Sequence, residues 1–109
     1  MIVKRPSIFI YTNNPDGDCL KEICAGIEEE GVFFEVFGKE TLSISELAFN
    51  AANDSMLGSG IGVSGKTVAL QMKGISKGKN VEEFSSPSFE ECRNIGANSA
   101  RIIKKMPLK

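Results

Sequence analysis

Residues 60–67, GIGVSGKT, have the spacing of a phosphate-cradling loop: Gly60, four residues, then Gly65, Lys66 and Thr67. Such a loop works when a strand precedes it and a helix follows, so that free amides and the helix N-terminus face the phosphate. The residues after Thr67 do not offer that setting. Val68, Leu70 and Met72 alternate with Ala69 and Gln71, a period of two that predicts a strand ending before Gly74. No aspartate follows Asp54 to hold a metal ion. The segment is therefore expected to be a hairpin turning at Ser64-Gly65-Lys66, its glycines allowing close backbone approach. A small nucleotide-binding protein using 60–67 stands as the alternative reading.

A second group with chemical potential is the run Glu28-Glu29-Glu30, directly before Gly31. Helical spacing puts it in the last turn of a helix, where the backbone dipole is negative and each exposed carboxylate costs roughly 0.3–1 kcal/mol. A cation or a basic partner would offset that cost. Successive helical residues diverge by about 100°, so only one or two of the three could face a single ion. Mg²⁺ is a suitable hard cation, but its remaining ligands would have to come from another chain. A solvated acidic helix end is the plainer alternative. Near the other terminus, Gly96-Ala97-Asn98-Ser99-Ala100 is a run of small residues that admits a closely packed strand, helix or partner backbone. Arg101, Lys104 and Lys105 follow it and suit a helix C-terminus.

The rest of the inventory is thin for catalysis. There is no histidine or tryptophan and a single tyrosine, Tyr11. The commonest general base is thus missing, and a non-enzymatic role is expected. Cys19, Cys24 and Cys92 form no CxxC pair and, without histidine, cannot complete a zinc site. Cys24 and Cys92 fall on apolar helix faces, where free cysteine packs as a small hydrophobe. A net charge of −1 gives no general attraction to nucleic acid or to an anionic membrane. No apolar run approaches the roughly 20 residues of a membrane span. The N-terminus reads as a strand and not as a signal peptide, so a cytoplasmic protein is expected.

The elements that would position these groups are legible in the periodicities. Residues 7–11 (SIFIY) read as a buried first strand, followed by the turn cluster 13–17. Leu20, Ile23, Cys24 and Ile27 then mark one face of a helix. Asp16 or Asp18 can cap its start, and Gly31 can end it. Residues 32–37 (VFFEVF) predict a second buried strand. Ser43 and Glu46 predict a capping box for a helix running to about residue 53. The hairpin strands come next, then a brief edge strand over 81–85. Ser86 and Pro87 are expected to open a last helix with Phe89, Cys92, Ile95, Gly96, Ser99 and Ile103 on one face, ended by Pro107. The order predicts a single α/β domain over 1–109, a small open and mostly parallel sheet with helices packed on it.

Three stretches together resemble the small subunit of diol/glycerol dehydratase reactivating factors, which is itself similar to the dehydratase β (medium) subunit. They are GIEEEGV at 26–32, AANDSMLGSGIGVSGKTVAL at 51–70 and RNIGANSARIIKKMPL at 93–108. The pairing of GIEEEG with the terminal pattern NxGxNxARxxKxxP is the specific part. The loop at 13–18 and the segment 74–86 carry little likeness.

The resemblance implies a Rossmann-like fold and a chaperone-like, non-catalytic role. In that family the small subunit pairs with a large actin-like ATPase subunit and exchanges with the dehydratase β subunit to release damaged cobalamin. ATP is then confined to the large subunit. The middle glutamate of GIEEEG, Glu29 here, corresponds to a ligand for Mg²⁺ at the interface with the large subunit. The client, glycerol or 1,2-propanediol dehydratase, stays open. Such enzymes often work inside bacterial microcompartments, although no amphipathic encapsulation tail is visible.

Overall fold

Two faces of one sheet are filled by different means, and the sequence of each strand determines which. The structure, a computed structural model, describes residues 5–40 and 43–109. Its elements run β1 (Ile8–Asn13), α1 (Gly17–Glu29), β2 (Phe34–Gly38), α2 (Ile44–Asp54), β3 (Ser59–Ser64), β4 (Thr67–Met72), β5 (Glu82–Ser85) and α3 (Phe89–Lys104). The sheet order is β2-β1-β3-β4-β5. β1 pairs in parallel with β2 and β3, and β4 is antiparallel to β3 and to β5. Four strands therefore share one direction and only β4 opposes them. This is the expected open α/β sheet, mixed at its hairpin side.

α1 and α3 cover one face and α2 the other. Ile8 and Ile10 of β1, Ile61 and Val63 of β3, and Val68 and Leu70 of β4 point to the α1/α3 side and are fully buried with Ile23, Ile27, Cys92 and Ile95. The alternate residues of β3 on the α2 side are Gly60 and Gly62. A Cβ on Gly62 would come within 2.7 Å of the Ala48 amide nitrogen, and one on Gly60 would collide with the backbone of Ala51 and Ala52. The glycines let the alanine face of α2 settle directly on the central strand.

Caps define the helix ends. Asp16 accepts from the Cys19 amide at the start of α1, and Gly31, at φ +72°, follows its end. At α2, Ser43 accepts from the Glu46 amide, as expected, but its hydroxyl donates to the Glu46 carboxylate, so the reciprocal half of a capping box is not made.

Other expectations also need correction. β2 is not a buried strand: it lies at the sheet edge, and Glu35, Val36 and Gly38 are exposed. Its apolar run resembles that of a central strand, but α2 crosses to β1, β3 and β4 and leaves it half covered. The last helix is capped by Ser88, not Ser86. Ser88 and Glu91 form the full reciprocal box, which outcompetes Ser86-Pro87 because Ser86 sits in the left-handed region at φ 50°. Phe89 accordingly falls outside the buried face and is exposed. The buried face of α1 is also turned by one residue: Cys19 and Gly26 are buried with Ile23 and Ile27, while Leu20 and Cys24 are only partly covered.

Candidate functional site

The region that would serve a nucleotide in an open α/β fold is the crevice beyond the carboxyl ends of the strands where chain direction reverses, here beside β1 and β3. That crevice is closed by the chain itself. The β3–β4 turn folds over it, with the Asp16 amide donating to the Gly65 carbonyl at 2.8 Å and the Gly65 amide donating to the Asn14 carbonyl at 3.1 Å. The Asp16 carboxylate occupies the N-terminus of α1, where an anion would otherwise sit. Residues Gly60–Val63 lie in a central strand flanked by β1 and β4, and β4, not a helix, follows Thr67. The hairpin expectation holds, and GIGVSGKT presents no phosphate cradle.

The acidic end of α1 is the second candidate, and its three carboxylates differ in surroundings. Gly26 of α1 and Gly96 of α3 mark a contact so tight that a Cβ on either would overlap a carbonyl oxygen of the other helix, Arg93 and Ile23 respectively. Cys19 meets Cys92, Gly26 meets Arg93 and Ala97, and Glu30 meets Arg101, so the two helices run side by side in the same direction. Their C-termini, both negative ends of backbone dipoles, are thereby brought together. Cations of α3 occupy that position: Arg101 pairs with Glu30 at 3.2 Å, and Lys104 lies 3.7 Å from its carboxylate and donates to its carbonyl oxygen. Glu30 is largely enclosed, with 10% of its side chain exposed. The small-residue run of the last helix thus receives α1 of the same chain.

Glu29 remains half exposed and shares Arg93 with Glu22, at 3.3 and 2.8 Å respectively. The hydrogen bond and charge of Glu22, with Glu29 adding to them, raise the Arg93 guanidinium above its ordinary value and keep it charged. Glu28 is exposed and makes no ion pair among the described residues. With Gly31, Val32, Phe33 and Phe34 it lines a pocket of about 380 Å³. Phe33 is 54% exposed, and the Arg5 guanidinium lies over its ring at 4.7 Å.

Among the described residues no group of three or more acidic or thiol side chains converges on a possible metal position. Glu29 carries a hard oxygen of the kind Mg²⁺ takes, and among the described residues it belongs to no group of three such side chains. The compensating charge inferred for the triplet is largely internal. Arg101 and Lys104, expected to suit the C-terminus of their own helix, also serve that of α1, and Arg93, for which the sequence suggests no partner, joins them along one flank of the small-residue run. Phe33 gave no signal in the sequence, because its exposure follows from β2 being an edge.

The terminal pattern NxGxNxARxxKxxP therefore packs against GIEEEG. Gly96 admits α1, Arg101 and Lys104 hold Glu30, and buried Asn98 donates to Glu82 of β5 at 2.7 Å while accepting from the Lys109 amide. The two stretches form one surface.

Comparison with known proteins bears on what that surface meets. The family model described as dehydratase medium subunit matches residues 5–109. The propanediol dehydratase-reactivating factor small subunit of Citrobacter freundii is 28% identical over 105 residues, covering 95% of this chain and 90% of that protein. A structure of diol dehydratase-reactivating factor complexed with ADP and Mg²⁺ contains a chain that superposes with a TM-score of 0.90 at 25% identity, over 97% of this chain and 99% of that one. A glycerol dehydratase reactivase chain gives the same TM-score at 24% identity, over 96% and 97% of the two chains.

Proposed function

Because this chain belongs to the dehydratase medium subunit family, we propose that it is the non-catalytic small subunit of a factor that reactivates an adenosylcobalamin-dependent diol or glycerol dehydratase. The observation that carries this reading is the end-to-end superposition on a chain of diol dehydratase-reactivating factor, with neither chain left substantially uncovered. Residues 5–109, matched by one family model, act as a single unit in this reading.

The physical logic is substitution. A chain built on the fold of a dehydratase subunit can occupy that subunit's place, which opens the cofactor site and lets damaged cobalamin leave. Energy for the cycle comes from ATP on a large actin-like ATPase subunit. This chain supplies a surface and no reacting group, in keeping with its lack of histidine and its occupied strand-end crevice.

The acidic end of α1 is the part of that surface assigned to the large subunit. Glu29 is the ligand offered to an interfacial Mg²⁺: its carboxylate is half exposed, whereas Glu30 is held by Arg101 and Lys104. Glu29 would hold Mg²⁺ from this chain's side, and the ion, when bound, would supply the positive charge that joins the acidic helix end to the large subunit, its other ligands coming from outside this chain. Phe33 and the adjacent pocket provide apolar area beside it, as interface cores require.

The test is assembly with the large subunit in Mg²⁺ and in chelator. Glu29→Ala should fold normally and weaken the Mg²⁺-dependent complex by roughly tenfold or more, about 1.4 kcal/mol. Unchanged assembly would remove Glu29 from the interface while leaving the wider reading intact. If the complete factor did not restore turnover to cobalamin-inactivated dehydratase, the functional reading itself would fall.

A further inference from the structure

Cys19 and Cys92 come together although the chain separates them by 73 positions. Their sulfur atoms are 2.6 Å apart, and both residues are buried, with 3% and 0% exposure. Each lies in the first turn of its helix, Cys19 in α1 and Cys92 in α3. We propose that this pair is a modification site, an oxidisable dithiol that closes to an intramolecular disulfide and ties the first turn of α1 to the first turn of α3.

Packing needs alone do not single out two cysteines here, since alanine or valine fills a helix crossing equally well. What distinguishes the pair is mutual contact, with each sulfur the other's hydrogen-bond partner. Bond formation requires only a small displacement of two side chains already facing each other. Access follows from position. First-turn amides have no partner within the helix, and the start of α1 is held through one residue, Asp16, whose carboxylate accepts from the Cys19 amide at 3.0 Å and whose amide donates to the Gly65 carbonyl. Fraying of that turn exposes Cys19 without unfolding the sheet. Burial pushes both thiols up in the closed form, so reaction proceeds through the frayed form.

The oxidant class is a hydroperoxide. The Cys19 thiolate attacks one peroxide oxygen, the O–O bond breaks, and the departing hydroxide takes a proton to become water. The Cys92 sulfur then attacks the resulting sulfenic sulfur, the S–O bond breaks, and a second water leaves as the S–S bond forms. Two thiols lose two electrons and two protons, and hydrogen peroxide is reduced to two waters.

Cys24 serves as the internal control. It is more exposed than the pair but has no thiol neighbour, and burial together with Glu28 pushes its thiol up to about 11. The folded, reduced chain is treated with hydrogen peroxide, unfolded, alkylated and mapped by mass spectrometry. The expected product is about 2 Da lighter, with Cys19 and Cys92 peptides joined and Cys24 alkylated. Its Tm is expected to rise by roughly 10 °C and to fall back on reduction. Cys24→Ala should leave the cross-link intact, and Cys92→Ser should abolish both the mass change and the Tm shift. A chain whose three thiols all alkylate after the treatment, or whose first oxidation product involves Cys24, overturns the proposal.

Discussion

Three adjacent glutamates of identical chemistry have three different environments. Glu30 lies where the C-termini of two parallel helices meet and is neutralised by Arg101 and Lys104; Glu29 shares a guanidinium; Glu28 faces solvent beside an apolar pocket. Which of them is available to a partner is a property of α3, not of the triplet. A similar lesson comes from Tyr11. Its hydroxyl donates to the Asp54 carboxylate at 2.5 Å at the end of α2, and Lys39 lies 4.5 Å from its ring centroid. Burial, reinforced by Asp54, raises the phenol well above its ordinary value of 10.0. The charged form is the disfavoured one. The stability this group contributes is therefore complete below the unfolded value and is lost as pH rises through the folded value. Because Tyr11 is the single tyrosine and tryptophan is absent, its ionisation can be followed directly by phenolate absorbance. The folded chain should show no phenolate step near the ordinary value, the urea-unfolded chain should show it there, and Asp54→Asn should bring the folded step part of the way down. A step at the same pH in both states would contradict the Tyr11–Asp54 contact.

At the scale of elements, glycine spacing determines how closely helices approach. Gly60 and Gly62 look like part of a phosphate loop in the sequence but serve as a seat for α2, and Gly26 with Gly96 brings α1 and α3 into backbone contact. Helix propensity alone would favour Gly96→Ala by about 1 kcal/mol. The structure reverses the sign, since the added methyl would overlap the Ile23 carbonyl oxygen, and overpacking against rigid backbone typically costs 1–3 kcal/mol. Gly96→Ala is expected to lower the stability measured by urea unfolding by roughly 2 kcal/mol. An unchanged or higher midpoint would mean that the two helices are not packed this closely.

For the whole molecule, the decisive feature is that the fold closes its own strand-end crevice. The turn between β3 and β4 bonds back to the β1–α1 loop, so the place where related architectures bind nucleotides is filled by main chain. The isolated chain should accordingly give no heat of ATP binding at micromolar concentrations. Lys66→Ala, at an exposed turn, should change stability by no more than about 0.5 kcal/mol. Micromolar ATP affinity lost in that variant would restore the nucleotide-binding alternative. Local information was enough for much of this molecule. Period-two and helical spacings give the order of strands and helices, and the β-run after Thr67 already separates GIGVSGKT from a phosphate loop. Asp16 and Gly31 bound α1 as expected, because caps and periodicity act over a few residues. Long-range contact decided the rest. VFFEVF reads as a buried strand until the sheet order places it at the edge, Cys19 has no meaning until Cys92 arrives beside it, and Glu30 is indistinguishable from Glu29 until α3 supplies its cations. Burial, pairing and charge compensation depend on which segments become neighbours, and that is settled by the packing of the whole chain.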